Sequence, residues 1–320
     1  MSKSASGARP HGARGGGKRA APAGTKRLQS AESMRRLARA AREAGGTVGF
    51  VPTMGALHEG HFALIRRARS QNDFVVVSIF VNPLQFGPGE DFEHYPRDLA
   101  RDLDRARELE VDAVFIPENQ EMYPPGFTTR IGVGEIGLRL CGASRPGHFD
   151  GVCTVVMKLL GIVQPQRIYL GQKDAQQIVV LQRMIDDLSV DAKIVACPTV
   201  READGLAMSS RNAYLTPEER AQAPQLYRVL RAAQRAILIE RLRDAKALIE
   251  RMRAQLTEGT RFEVEYIALV DPETLEERPV LSGRTLIAVA ARLGRTRLID
   301  NLLINVPGGR MAERMALKGE

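Results

Sequence analysis

Short, nearly continuous apolar runs alternate with stretches of helical periodicity through the first two thirds of this chain. Residues 30–43 read as a helix, with Ser30 as N-cap and Gly45-Gly46 as its stop. A strand follows at 47–52, then a helix over 60–71. Phe74 to Val81 is β-branched and unbroken, as a strand covered on both faces should be. The pattern continues with a helix from Pro96 to Leu109, a strand from Ala113 to Ile116, and an apolar helix from Gly151 to Val163. A strand at Arg167–Leu170, a helix over 174–188 and a strand at 191–196 complete it. Strands separated by helices this regularly predict an α/β fold: a parallel sheet with right-handed crossovers and helices on both faces. Ligands of such sheets bind beyond the carboxyl ends of the strands.

The pattern changes after about residue 200. Pro217 to Glu258 is largely helical and rich in Arg and Glu, and Phe262–Val270, Thr285–Ala291 and Arg297–Ile299 read as strands. These belong to a smaller α+β unit, with the boundary near 200–213. Residues 307–320, opening on Pro307-Gly308-Gly309, are expected to be a loose tail. No internal repeat is present.

Composition narrows the class. A chain of 320 residues with 44% apolar and 26% charged residues can bury a sizeable core across two domains. No stretch approaches the ~20 apolar residues of a membrane span. Cys141, Cys153 and Cys197 are too few and too scattered for a disulfide framework, which fits a reducing cytoplasm. The formal charge of +8 is misleading, because Lys3, Arg9, Arg14, Lys18, Arg19, Lys26 and Arg27 supply all but one unit of it. Residues 28–320 are therefore almost neutral and give no electrostatic case for nucleic acid. Residues 1–27 carry no acidic residue and are rich in Gly, Ala, Ser and Pro, so they are expected to be disordered. A solvated extension, a loose contact with polyanions, a targeting segment and a start codon assigned too far upstream all fit that composition. It lacks the apolar region of a secretory signal.

Four segments carry candidate chemistry. Thr53-Met54-Gly55-Ala56-Leu57-His58-Glu59-Gly60-His61 reads as strand, glycine turn and helix start, and free N–H groups at a helix start attract anions. His58 and His61 could donate to phosphate oxygens, ligate zinc or serve structure; a zinc site would need a third ligand, and HExxH spacing is absent. Asn82-Pro83-Leu84-Gln85-Phe86 lies at the next carboxyl edge, where amides can orient a polar substrate, although Asn-Pro also serves simple turns. Gly171-Gln172-Lys173-Asp174 opens a helix, with Gln176-Gln177 one turn on; Lys173 is electrostatically misplaced there unless it meets an anion or faces water. Met208-Ser209-Ser210-Arg211 offers two hydroxyls and a guanidinium suited to phosphate, or is an exposed polar loop.

Taken together, TMGALHEGH, FVNPLQF, Tyr95-Pro96-Arg97, SRPGHFDGV (Ser144–Val152), LGQKDAQQ (Leu170–Gln177) and VREADGLAMSSRNAYL (Val200–Leu215) resemble the signature segments of the pantothenate synthetase, or pantoate–β-alanine ligase, family. The resemblance spans roughly residues 28–305 with the segments in order. This family belongs to the adenylate-forming nucleotidyltransferases, whose H-x-G-H and K-M-S-K-S signatures would correspond to His58–His61 and Met208–Arg211. The second segment lacks the lysines of the synthetase pattern, leaving Arg211 as its cation.

The resemblance implies a Rossmann-like domain over residues 28–205, a smaller lid domain over 206–306, and a homodimer. It implies ATP with Mg²⁺, pantoate and β-alanine as substrates, and a pantoyl-adenylate intermediate. By motif, Met54, Gly55, Ala56, Leu57, His58, Glu59, Gly60 and His61 would line the ATP site, with His61 as proton donor. Gly171, Gln172, Lys173, Asp174, Val200, Met208, Ser209, Ser210 and Arg211 would complete it. Gln85 and Gln177 would hold pantoate, with Asn82 and Arg145 as further substrate contacts. Gln172 stands where relatives often have Glu. No metal ligand is assigned. Two other classes are set against this reading: a nucleotidyltransferase acting on another carboxylate or a phosphate, which would share the ATP motifs but not FVNPLQF with a second glutamine, and an RNA-binding protein using its tail, whose core would need a basic patch or RNP-like aromatics.

Overall fold

The structure, a computed structural model, describes residues 24–307. Residues 1–23 and 308–320, and with them most of both expected tails, lie outside the described residues. The first unit alternates strands and helices in chain order: β1 (Lys26–Leu28), α1 (Ala31–Glu43), β2 (Val48–Thr53), α2 (Glu59–Gln71), β3 (Phe74–Ile79), α3 (Leu99–Glu108) and β4 (Ala113–Phe115). Three four-residue helices follow, α4 (Asn119–Met122), α5 (Glu135–Leu138) and α6 (Cys141–Ser144). Then come α7 (His148–Val163), β5 (Arg167–Gly171), α8 (Ala175–Asp187) and β6 (Lys193–Cys197). All six strands are parallel, in the order β1-β4-β3-β2-β5-β6.

Why these strands read as unbroken apolar runs is visible in their two faces. Phe50, Val76 and Ile168 pack with α1, α7 and α8, whereas Val51, Val75, Val77 and Tyr169 pack with α2 and α3. Both faces of the sheet are covered at its centre, so successive residues of β2, β3, β4 and β5 are mostly buried. After β2 the chain winds towards β3 and β4, then crosses back to β5 and β6. The reversal falls between β2 and β5, and that switch point is where open α/β sheets bind ligands.

The edge strand β1 corrects one expectation. Composition extends the disordered tail through residue 27, yet Lys26 and Arg27 pair with Ala113 and Val114 of β4. The Lys26 N–H donates to Asp112 O at 2.9 Å and the Ile116 N–H to Leu28 O at 2.7 Å. Three residues at an edge, two of them exposed, carry no apolar pattern to announce them.

Beyond residue 206 the chain forms α9 (Pro217–Gln222), α10 (Gln225–Leu238) and α11 (Ala245–Thr257). An antiparallel sheet follows, β7 (Phe262–Val270), β8 (Gly283–Leu293) and β9 (Thr296–Val306), in that order. Strand β8 alternates as a two-faced strand must. Leu286 and Ala288 join the core of the first unit, while Ile287, Val289 and Ala291 pack with α10 and α11. The second unit is thus apposed to the first through one face of its sheet. Strands β8 and β9 are longer than the sequence pattern predicts; in β9 the buried polar pair Asp300 and Asn301 interrupts the apolar run.

Candidate active site

A cavity of about 730 Å³ opens at the switch point, between the carboxyl ends of β2 and β5 and the start of the second unit. Met54, His58, Gly60, His61, Asn82, Gln85, Arg145, Gly171, Lys173, Asp174 and Gln177 line it from the first unit. Val200, Met208, Ser209, Ser210 and Arg211 line it from the connecting segment. Sequence stretches far apart in the chain therefore converge on one space.

The turn after β2 is built around a buried carboxylate. Gly55 and Ala56 both sit at positive φ, 86° and 50°. The Ala56 and Leu57 N–H groups donate to the two oxygens of Asp102, at 2.9 and 2.7 Å, and Asp102 is only 2% exposed. That pairing offsets the strain of a non-glycine residue in the left-handed region. It also aims the chain so that α2 starts with His58 as its N-cap.

The two imidazoles lock each other. His58 Nδ1 accepts from the Gly60 N–H at 3.1 Å, and His61 Nδ1 accepts from the His58 N–H at 3.3 Å. Their ring centroids lie 4.1 Å apart. A nitrogen that accepts from an N–H carries no proton, so each neutral ring holds its hydrogen on Nε2. Burial, then the Lys173 ammonium, pushes His58 down to about 4. Burial, then His58 and Lys173, pushes His61 down to about 3. Both rings are neutral Nε2–H donors at neutral pH. Gly60 is the residue that lets them pack, since a Cβ there would lie 2.8 Å from His58 Cε1.

The cations are held by carboxylates. Lys173 Nζ lies 3.7 Å from Asp174 Oδ1. Arg211 donates through Nε and Nη2 to Asp91, and its guanidinium lies 5.8 Å from the Tyr95 ring centre. Burial opposes the Arg211 charge, but hydrogen bonds and attraction to Asp91 outweigh it and raise its pKa above the ordinary value. The Tyr95 hydroxyl lies 3.0 Å from Ser210 Oγ. Arg145 pairs with Glu90 and donates to the Gln85 carbonyl, to which His148 Nδ1 also bonds at 2.8 Å. The adjacent acidic residues Glu90 and Asp91 thus occupy Arg145 and Arg211 respectively. Behind Lys173, the buried Asn301 of β9 donates to the carbonyls of Gln172 and Lys173, both at 2.9 Å.

Some expected contacts sit elsewhere. Gly55, Ala56, Leu57, Glu59 and Gln172 do not line this cavity. Leu57 is a core residue packed under α2, and Glu59 pairs with Arg66 on the exposed side of the helix. Gln172 contributes its backbone carbonyl to Asn301. Asn82 is 1% exposed, with its amide bonded to Gln85, Gly151, Leu84 and Tyr123, so it supports the site from beneath. Sequence reasoning misses Asp91, Asp102, Tyr123 and Asn301. Each acts through a partner remote in the chain, a relationship that no local spacing encodes.

A switch-point cavity lined by H-x-G-H imidazoles, a lysine and a guanidinium offers the donors and cations an anion requires, on a parallel α/β sheet of the kind that binds ligands at its switch point. The family model for pantoate-beta-alanine ligase matches residues 26–303. Pantothenate synthetase from Thermotoga neapolitana is 52% identical over 277 residues, covering 87% of this chain and 99% of that protein. The crystal structure of pantothenate synthetase from Thermus thermophilus superposes with a TM-score of 0.81 at 48% identity, covering 87% of this chain and 98% of that one. That of the Francisella tularensis pantoate-beta-alanine ligase, complexed with β,γ-ATP and β-alanine, superposes with a TM-score of 0.71 at 36% identity over 87% and 97% of the two chains. The chain belongs to the pantoate–β-alanine ligase family.

Proposed function

We propose that this ligase condenses pantoate with β-alanine at the expense of ATP, releasing AMP and pyrophosphate through a pantoyl-adenylate intermediate. The observation that carries the reading is the convergence of His58, His61, Lys173 and Arg211 on one cavity at the switch point. Their proximity is also electrostatic. The Lys173 charge depresses both imidazoles, and Asp174 acts on both His58 and Arg211.

In the first step a pantoate carboxylate oxygen attacks the α-phosphorus of ATP, and the bond to the leaving pyrophosphate breaks. Charge builds on phosphate oxygens, so the catalytic need is for fixed donors and cations. His58 and His61 offer Nε2–H groups already oriented by their Nδ1 contacts, which makes His61 a hydrogen-bond donor rather than an imidazolium acid. Lys173 and Arg211 supply charge, and Ser209 and Ser210 supply hydroxyls. In the second step the neutral β-alanine amine attacks the acyl carbon, the bond to AMP breaks and the amine gives up a proton. Gln85 and Gln177 hold pantoate as neutral clamps, where a carboxylate base could activate water against the anhydride. The C-terminal unit serves as the cover that excludes water.

Among the described residues no group of three or more His, Cys, Asp or Glu side chains could hold a metal ion. Mg²⁺ would arrive on ATP, because this ion keeps phosphate and water ligands and needs one or two carboxylates at most. Asp174, in the cavity and half exposed, would meet the ion there, and the ion would neutralise phosphate charge. The reading includes a cytoplasmic homodimer. Three unpaired cysteines suit a reducing compartment, and among the described residues no helix is long and apolar enough to cross a membrane.

Exchange of labelled pyrophosphate into ATP tests the reading. Exchange should require pantoate and proceed without β-alanine. Equal exchange with unrelated acids, or none with pantoate, overturns it.

A further inference from the structure

The Gln85 amide has two hydrogen-bonding ends, and the protein gives a strong partner to only one of them. Asn82 beneath it is oriented by two backbone groups whose roles are fixed. The Leu84 N–H can only donate, 3.3 Å to Asn82 Oδ1, and the Gly151 carbonyl can only accept, 3.1 Å from Nδ2. The Tyr123 hydroxyl, 2.7 Å from the same Oδ1, must then donate. The remaining Nδ2 hydrogen goes to Gln85 Oε1 at 3.1 Å. Gln85 is left with its Nε2 end, which rests on Met54 Sδ at 3.2 Å. A thioether is a weak acceptor, readily replaced by a ligand oxygen.

The supports of this chain are themselves tightly set. Helix α7 approaches so closely that a Cβ on Gly151 would lie 2.1 Å from the Leu84 carbonyl oxygen. The Tyr123 ring packs against Phe127 and Phe80, with centroids 5.0 and 6.1 Å away. Lys158, also on α7, places its ammonium 5.7 Å from the Tyr123 ring centre. Burial raises the phenol pKa far above its ordinary value, so the hydroxyl stays a donor.

We infer that Tyr123 is a positioning residue for the acid substrate: its hydroxyl anchors the Asn82 amide in the polarity that Leu84 and Gly151 set, and the amide in turn holds Gln85 with its N–H groups towards the cavity. The ligand group at Gln85 is then an acceptor oxygen, a carboxylate or a hydroxyl lone pair. This rests on the reading that Gln85 holds pantoate.

The test is steady-state kinetics of Tyr123→Phe, Gln85→Ala and the double variant, with each substrate varied in turn. Tyr123→Phe removes one buried hydrogen bond and no ring packing, so the pantoate KM should rise roughly 3- to 10-fold. The ATP KM and kcat should stay within about 2-fold. Gln85→Ala should raise the pantoate KM, and adding Tyr123→Phe to it should change nothing further. An unchanged pantoate KM in Tyr123→Phe beside a raised one in Gln85→Ala overturns the inference and leaves the pantoate reading standing. An unchanged pantoate KM in Gln85→Ala overturns both. Equal losses for all substrates in Tyr123→Phe would assign the tyrosine to folding alone. An undiminished Tyr123→Phe effect in the double variant would show that it does not act through Gln85.

Discussion

Arg211 and Asp91 face each other as a two-pronged pair, Nε to Oδ2 and Nη2 to Oδ1, both at 2.9 Å. The guanidinium assigned to triphosphate therefore already carries a counter-ion. An arriving phosphate competes with that carboxylate for the same donors. Asp91→Asn keeps one acceptor oxygen and removes the rival charge, so the ATP KM should fall about 3-fold, equivalent to ~0.6 kcal/mol of released competition. ATP-dependent initial rates measure this; a higher ATP KM would make Asp91 a helper of ATP binding.

Lys173→Ala and His61→Ala each delete a charge-assisted or buried donor, a loss of about 1.5–3 kcal/mol. Each should slow adenylation at least ~10-fold. Single-turnover formation of the adenylate in a rapid-quench experiment reads the step directly, and a wild-type rate would remove that residue from it.

Gly60→Ala separates activity from stability. The new Cβ would press on the His58 ring at 2.8 Å, while alanine favours the first turn of α2 by up to ~1 kcal/mol. Adenylation should fall about 10-fold or more, whereas the denaturation midpoint should move little, the propensity gain offsetting a strained N-cap worth about 0.5–2 kcal/mol. If His58 yields without cost, adenylation will instead match the parent protein.

Three histidines give the fold an acid limit. His58 and His148 are depressed to about 4 and His61 to about 3, in each case first by burial. The unfolded chain, with histidines near ~6.5, binds protons first as pH falls. Stability from these groups is fully present above about pH 6.5 and drains away towards about pH 4 for His58 and His148 and about pH 3 for His61, at up to ~1.4 kcal/mol per pH unit for each histidine. Urea midpoints across this range should fall steeply, and His61→Asn should flatten the slope. An identical slope in that variant would clear His61 of the effect.

Asn301→Ala strips one hydrogen-bond donor each from the carbonyls of Gln172 and Lys173. It should cost about 1–3 kcal/mol of stability and slow adenylation, leaving the pantoate KM close to that of the parent. A raised pantoate KM with normal adenylation would put Asn301 in the other half of the cavity.

What the sequence reveals follows from how far each signal reaches along the chain. Strands β2, β3 and β5 announce themselves because a sheet covered on both faces demands consecutive apolar residues, as Phe50-Val51 and Ile168-Tyr169-Leu170 show. The cavity's imidazoles, amides and Lys173 follow those strands directly, where a sequence search looks first. Strand β1 and helices α4 to α6 are invisible to it, since three or four residues cannot display a period. Helix α3 begins at Leu99 because Asp98 caps it, leaving Tyr95-Pro96-Arg97 outside, with Tyr95 against Ser210 and Arg211. The supporting residues Asp102, Asp91, Tyr123 and Asn301 stay hidden for another reason: each is defined by a partner 41 to 129 positions away.

The tether on the Lys173 loop belongs to β9, the last strand to leave the ribosome among those described. In chain order β2, β5 and both imidazoles all precede Asn301. Full adenylating rate should therefore require the second sheet docked against the first unit, and the first unit alone should not reach it.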